Sequence, residues 1–84
     1  MQNTDINYSE QLKKTRINEP LFQAILALYE TRIELGITQK QLSQMSGVRQ
    51  SNISRIERGT CSPDLVTLSK LAYAMNKKLE IRIK

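Results

Sequence analysis

Residues 38–59, TQKQLSQMSGVRQSNISRIERG, decide the fold that this sequence predicts. Thr38 suits a helix N-cap, because its hydroxyl can accept a hydrogen bond from a free N–H group of the first turn. Gly47 suits the end of that helix, since glycine adopts the left-handed conformation that a short turn requires. The stretch therefore predicts a helix, a tight turn whose corner Val48 fills, and a second helix.

Apolar residues in this stretch recur at helical spacing. Leu42 and Met45 stand three residues apart in the first helix. Ile53 and Ile56 do so in the second, and residues three apart share one helix face. The second helix is otherwise rich in polar residues, namely Arg49, Gln50, Ser51, Asn52, Ser54, Arg55 and Arg58. Such a helix can pack on one side and hydrogen-bond base edges with the other.

The chain is short and basic. It has 84 residues and a net charge of +5, which suits nucleic acid or an anionic membrane surface as a partner. A domain of this size buries little apolar surface alone, so we expect a dimer. No apolar run is long enough to span a bilayer and the N-terminus is polar, so we expect a cytoplasmic protein with no membrane partner.

The reactive residues argue against an enzyme. The sequence has no histidine, no glycine-rich phosphate loop and no pair of carboxylates at a useful spacing. Cys61 is the single cysteine, so it has no disulfide partner in the chain and no imidazole to activate it. We therefore expect no catalytic residue, no metal and no cofactor.

The sequence on either side of this stretch predicts further helices. Pro20 suits the first turn of a helix that Gly36 ends. Ser62 or Asp64 would cap another, with Asn76 as its left-handed end. Leu65, Leu68, Leu71, Ala72 and Met75 make that helix amphipathic, and Tyr29 and Tyr73 fall on helix stripes as core or dimer-edge residues.

The last residues change period. Leu79, Ile81 and Ile83 alternate with charged residues, which predicts a β-strand. A lone strand leaves its backbone groups unpaired, so we expect it to pair with the same strand of a second copy about a two-fold axis. A frayed tail, or pairing near the N-terminus, is the alternative. The predicted parts are a partly helical or flexible N-terminal extension (1–19), a helix-turn-helix domain (20–76) and a dimerisation strand (77–84).

Residues 28–75 resemble the Xre/Cro/CI family of phage and bacterial helix-turn-helix repressors. The resemblance is carried by Thr38-Gln39, Leu42, Gly47, Val48, Ile53, Ile56 and Glu57-Arg58-Gly59, followed by SPDLVTLSKLAYAM. It implies an all-α, lambda-repressor-like bundle of about five helices, here with a C-terminal β-strand that pairs across a homodimer. Ser43 departs from the family, which usually has alanine there.

Three residues of the second helix are expected to face the bases. Gln50, Ser51 and Arg55 share its outward side; glutamine suits adenine and arginine suits guanine, each through two hydrogen bonds. Arg49 begins the helix and would contact a base or a phosphate, while Asn52 lies at the edge of the face, toward phosphate. The alternative for each is an ordinary solvated polar residue.

Other residues are expected to contact the DNA backbone or to stabilise the fold of the protein. The resemblance implies that Gln39 contacts phosphate, and a helix N-terminus suits an anion. Lys40 and Arg58 add positive charge toward the same strand. The resemblance also implies that Arg32 pairs with Glu57 beneath the DNA surface, as a structural ion pair.

The ends of the chain resemble HigA-like antitoxins of type II toxin–antitoxin pairs. The resemblance lies in an N-terminal extension and the final KKLEIRIK. It implies a repressor that binds an inverted-repeat operator in double-stranded DNA as a homodimer, autoregulates its operon and neutralises a HigB-like ribonuclease toxin. The alternatives are a stand-alone Xre-family regulator without a toxin and a scaffolding domain that no longer binds DNA.

Overall fold

The computed structural model describes residues 19–84, which form four helices. In chain order they are α1 (Glu19–Leu35), α2 (Gln39–Ser46), α3 (Gln50–Arg58) and α4 (Leu65–Ala74). The domain is all-helical, as predicted. A helix in the N-terminal extension, which would bring the predicted number to about five, would lie among residues 1–18, outside the described residues. None of the four helices is long and apolar enough to cross a bilayer.

Side-chain caps start two of the helices. The hydroxyl of Thr38 accepts from the N–H group of Gln41, and the Gln41 side-chain oxygen accepts from the N–H group of Thr38 in return. This reciprocal pair is a capping box, and it satisfies two backbone donors at the start of α2. Asp64 caps α4 by accepting from the N–H group of Thr67 at 2.8 Å. Of the two caps that the sequence allowed for α4, the structure therefore uses the aspartate.

Left-handed residues end the helices. Gly47 has φ of +79°, and its N–H group donates to the carbonyl of Ser43. A Cβ atom added there would have open space around it, so the backbone conformation alone calls for glycine. Asn76, at φ +62°, plays the same part just after α4. Both stops are where the sequence predicted them.

The core lies where α2 and α3 pack on each other and on α1 and α4. Its largest cluster of buried side chains is Ile25, Leu42, Val48, Ile53, Ile56, Leu71 and Met75. Met45 is not part of it: its side chain is 52% exposed, whereas Leu42 is 2% exposed. Three residues leave the two side chains about 60° apart around a helix, and this is enough to turn Met45 into solvent. The pairing of Leu42 with Met45 was therefore wrong.

Three other apolar or aromatic residues are exposed: Leu65, which the sequence placed on the packed side of its helix, and the two tyrosines, for which the dimer-edge alternative stays a prediction. Leu65 and Tyr73 lie on the outer side of α4, 56% and 84% exposed, and Tyr29 on α1 is 41% exposed. None of the three is a core residue. A helix on the rim of so small a domain packs on one side only, and these side chains lie outside that contact.

Residues 77–84 have no regular secondary structure, and no β-strand forms within residues 19–84. Leu79 is half-buried beside the starts of α1 and α4. Ile81 and Ile83 are exposed, Ile83 by 96%. The alternation that predicted a strand thus belongs to a segment without regular structure, with Ile81 and Ile83 in solvent. A ladder would need a partner strand from outside residues 19–84.

Candidate nucleic-acid interface

Helix α3 has one side in the core and one in solvent. Ile53 and Ile56 are 1% and 2% exposed and fix its inner side. Gln50, Ser51 and Arg55 are exposed on the other side. The residues that the sequence assigned to base contacts are thus free to reach a ligand, on a helix held by two fully buried side chains. The geometry suits insertion of α3 into a DNA groove.

The N-terminus of α3 differs from those of α2 and α4. Its N-cap residue is Arg49, whose side chain makes no capping hydrogen bond. The Arg49 carbonyl accepts from the N–H groups of Asn52 and Ile53, both at 3.0 Å. This end of α3 therefore combines uncapped N–H donors, the positive end of the helix dipole and an exposed guanidinium. All three favour a phosphate group nearby.

Two of the contact residues predicted on α3 have partners within the protein. Arg58 donates a hydrogen bond to the hydroxyl of Ser54, one helical turn earlier. The thiol of Cys61 donates to the side-chain oxygen of Asn52 at 3.9 Å, and Asn52 is half-buried. Asn52 therefore lies toward the loop after α3 and away from the outward side. Arg58 remains exposed and keeps further N–H donors for phosphate.

An ion pair braces α3 from below. Arg32 is buried on α1, and its Nε and Nη2 atoms donate to the two carboxylate oxygens of Glu57 at 2.7 and 2.9 Å. Its Nη1 atom donates to the carbonyl of Ile37 at 2.9 Å. The hydrogen bond to Glu57 raises the pKa of Arg32 above its ordinary value. The guanidinium thus ties α1 to α3 and to the link before α2.

Gln39 joins this network from the first turn of α2. Its Nε2 atom donates to Glu57 Oε1 at 2.9 Å. The family resemblance implied a phosphate contact for Gln39, and the hydrogen bond to Glu57 was not predicted. A side-chain amide carries two hydrogens, so one can bind Glu57 while the other is left for a phosphate. Lys40, the next residue, is exposed at the same helix end.

Comparison with known proteins gives one family and several relatives. A helix-turn-helix family model matches residues 28–81. An uncharacterized HTH-type transcriptional regulator of Haemophilus influenzae is 39% identical over 72 residues, which span 86% of this chain and 70% of that protein. A regulator of the same description from Methanothermobacter thermautotrophicus is 37% identical over 49 residues, spanning 58% of this chain and 71% of the relative. No solved structure matches the chain.

Proposed function

The chain belongs to the helix-turn-helix family, and from this premise we propose that it is a sequence-specific DNA-binding regulator that represses transcription. The observation that carries the proposal is the division of α3 into a buried side, with Ile53 and Ile56, and an exposed polar side. The description of the relatives as HTH-type transcriptional regulators supports it. The role is that of a binding protein in the cytoplasm, and we propose no enzymatic activity.

In the proposed complex, α3 lies in the major groove. Gln50 can form two hydrogen bonds with adenine, and Arg55 can form two with guanine. Ser51 lies between them. Arg49 and the N–H groups of the helix start would contact the adjacent phosphates. Gln39, Lys40 and Arg58 would add phosphate contacts, which position the protein without reading the sequence.

We propose that the regulator acts as a homodimer on an inverted repeat. Residues 77–84 form no strand within residues 19–84 and leave Ile81 and Ile83 in solvent, which supports antiparallel pairing with the same residues of a second copy. Pairing would give the backbone groups of this segment ladder partners and would cover the two isoleucines. Two recognition helices related by a two-fold axis would then read half-sites about one helical turn apart.

We further propose that the regulator is the antitoxin of a type II pair, which neutralises a HigB-like ribonuclease and represses its own operon. The resemblance of both ends of the chain to HigA-like antitoxins supports this role. A stand-alone Xre-family regulator without a toxin is the second candidate, and the relatives named as transcriptional regulators fit it equally well.

The DNA-binding proposal is tested on the promoter of the protein's own gene. Fluorescence anisotropy should give tight binding to that fragment and much weaker, more salt-sensitive binding to a scrambled fragment of the same length. A promoter-reporter fusion should be repressed by the wild-type chain. Equal affinity for both fragments at every salt concentration would contradict sequence-specific binding.

The antitoxin role is tested separately. The reading frame next to this gene is expressed alone and then together with this chain. Growth arrest that co-expression relieves, with an Arg55→Ala variant relieving it as well as the wild type, supports an antitoxin. If no neighbouring product is toxic while the promoter fragment is still bound, the stand-alone regulator is the correct assignment.

A further inference from the structure

The outer side of α1 carries apolar side chains that the domain leaves uncovered. Leu26, Tyr29 and Ile33 are exposed by 37%, 41% and 52%. Their spacing of three and four residues sets them in one line along the helix, which we name the α1 seam. The same spacing forms the contact line where one helix packs along another. The seam therefore has the pattern of an unfilled helix–helix contact.

Acidic residues border the seam. Glu30 and Glu34 are exposed along one side of it. Arg32 is the one basic residue of α1, and it is buried against Glu57. The exposed surface of α1 is thus apolar and acidic, in a chain whose net charge is +5. The exposed cations are found on other elements, such as Lys40 on α2, Arg55 on α3 and the residues of the tail.

This charge distribution selects among possible occupants. If a second copy docked α1 against α1, neither helix would offer an exposed cation to the glutamates of the other. A helix with apolar residues on one side and lysine or arginine beside them could pack on the seam and pair its charges with the acidic border. A protein that binds and cleaves RNA needs such positive charge on its surface.

We propose that the α1 seam is the docking site for an amphipathic helix of the basic ribonuclease partner. This inference rests on the antitoxin function proposed above and adds the surface to it. The seam lies on α1 and the base-reading residues lie on α3, so the partner and DNA are bound through different helices. Substitutions in the seam are expected to leave promoter binding unchanged.

The experiment compares two lysine variants with matched exposure. Ile33→Lys places a charge in the seam, whereas Leu35→Lys changes a residue that is 51% exposed on the same helix, about 200° around it. The probe is the purified product of the neighbouring reading frame, and calorimetry measures its binding to the full chain. We expect Ile33→Lys to weaken binding about tenfold or more and Leu35→Lys to leave it within about twofold. Promoter binding by both variants shows that they fold.

A second arm tests the acidic border. Replacing Glu30 and Glu34 together with glutamine keeps their shape and removes two charges. The salt dependence of partner binding should become weaker, because attraction between exposed charges is screened by salt. An unchanged salt dependence would overturn the assignment of a basic helix.

The outcomes separate the two proposals. Equal partner binding by wild type, Ile33→Lys and Leu35→Lys overturns the docking site and leaves the antitoxin function in place. A neighbouring product that binds no form of the chain, while the promoter is bound normally, overturns both. If Ile33→Lys instead changes the sedimentation of the chain alone, or increases amide exchange in residues 1–18, the seam holds a second copy or the chain's own N-terminus, and the proposal is wrong.

Discussion

Arg32 and Glu57 lie 25 positions apart in the sequence and are joined by two hydrogen bonds of 2.7 and 2.9 Å. Each side chain is 11% exposed. The pair links α1 to α3, and Gln39 binds the same carboxylate from α2. The position of α3 therefore depends on a contact below the surface with α1 and α2.

Removal of the guanidinium should destabilise the domain. Arg32→Ala leaves Glu57 with one hydrogen-bond donor from Gln39 in a largely dry site, so we expect the free energy of unfolding to fall by about 2 kcal/mol or more. Arg32→Lys keeps the charge and loses the two-point geometry, so it should cost less. Urea unfolding measures both. If Arg32→Ala costs no more than the exposed-site control Lys40→Ala, the pair does not brace the fold.

Arg55 should read one base pair. Arg55→Ala is expected to cost about 1–3 kcal/mol of binding free energy on the operator and to relax the preference at a single position. Titration against operators changed at one base pair at a time measures this. Lys70→Ala, which removes an exposed cation from α4, is the control. Retention of every base preference by Arg55→Ala would show that another residue reads the DNA.

Lys40 should bind the DNA backbone. Lys40→Ala is expected to weaken all sequences by the same factor and to reduce the slope of log affinity against log salt by about one. Lys70→Ala on α4 removes the same charge from a helix that is not assigned to the interface. Fluorescence anisotropy of DNA binding at four salt concentrations distinguishes the two variants. A loss confined to one operator sequence would be inconsistent with a phosphate contact.

The tail should hold two copies together. Ile81→Lys and Ile83→Lys place charges where pairing would bury apolar side chains, so we expect a monomer by sedimentation equilibrium and much weaker binding to a two-half-site operator. Binding to one isolated half-site should be unchanged. Val66→Lys, on the exposed side of α4, is the control. A variant that still sediments as a dimer would place the dimer interface elsewhere.

Asp64 should make stability depend on acid pH. The hydrogen bond from Thr67 holds the pKa of Asp64 below its ordinary value of 3.8. Because the folded-state pKa lies below the unfolded-state pKa, the ionised cap stabilises the domain above pH about 4. This stabilisation is lost as the pH falls through the lowered pKa. Asp64→Asn still accepts the bond but does not titrate, so its stability should fall less between pH 5 and pH 3. If thermal unfolding shows the same loss of stability for the wild type and Asp64→Asn between the two pH values, Asp64 does not cause the pH dependence.

The sequence predicted the features that local chemistry controls. Thr38 and Asp64 cap their helices, and Gly47 and Asn76 end theirs, because each is set by bonds or torsions within a few residues. Met45 and Leu65 were misjudged, since spacing locates a helix face and does not say how wide the packed part of that face is.

The partners of the site residues were harder to predict. The bond from Gln39 to Glu57 and the contact of Cys61 with Asn52 join elements that only the fold brings together. The bond from Arg58 to Ser54 did carry a signal, because residues four apart are neighbours on a helix. Whether the assigned residues bind DNA stays a prediction, since the structure describes the protein alone.

Residues 77–84, which have no regular secondary structure within the described part of the chain, bear on how long the protein survives. Proteases cut exposed segments without secondary structure more readily than packed helices or strands. Pairing of this segment with the same segment of a second copy would protect it from proteases. Turnover would then slow as the protein accumulates, so its own abundance would set its lifetime.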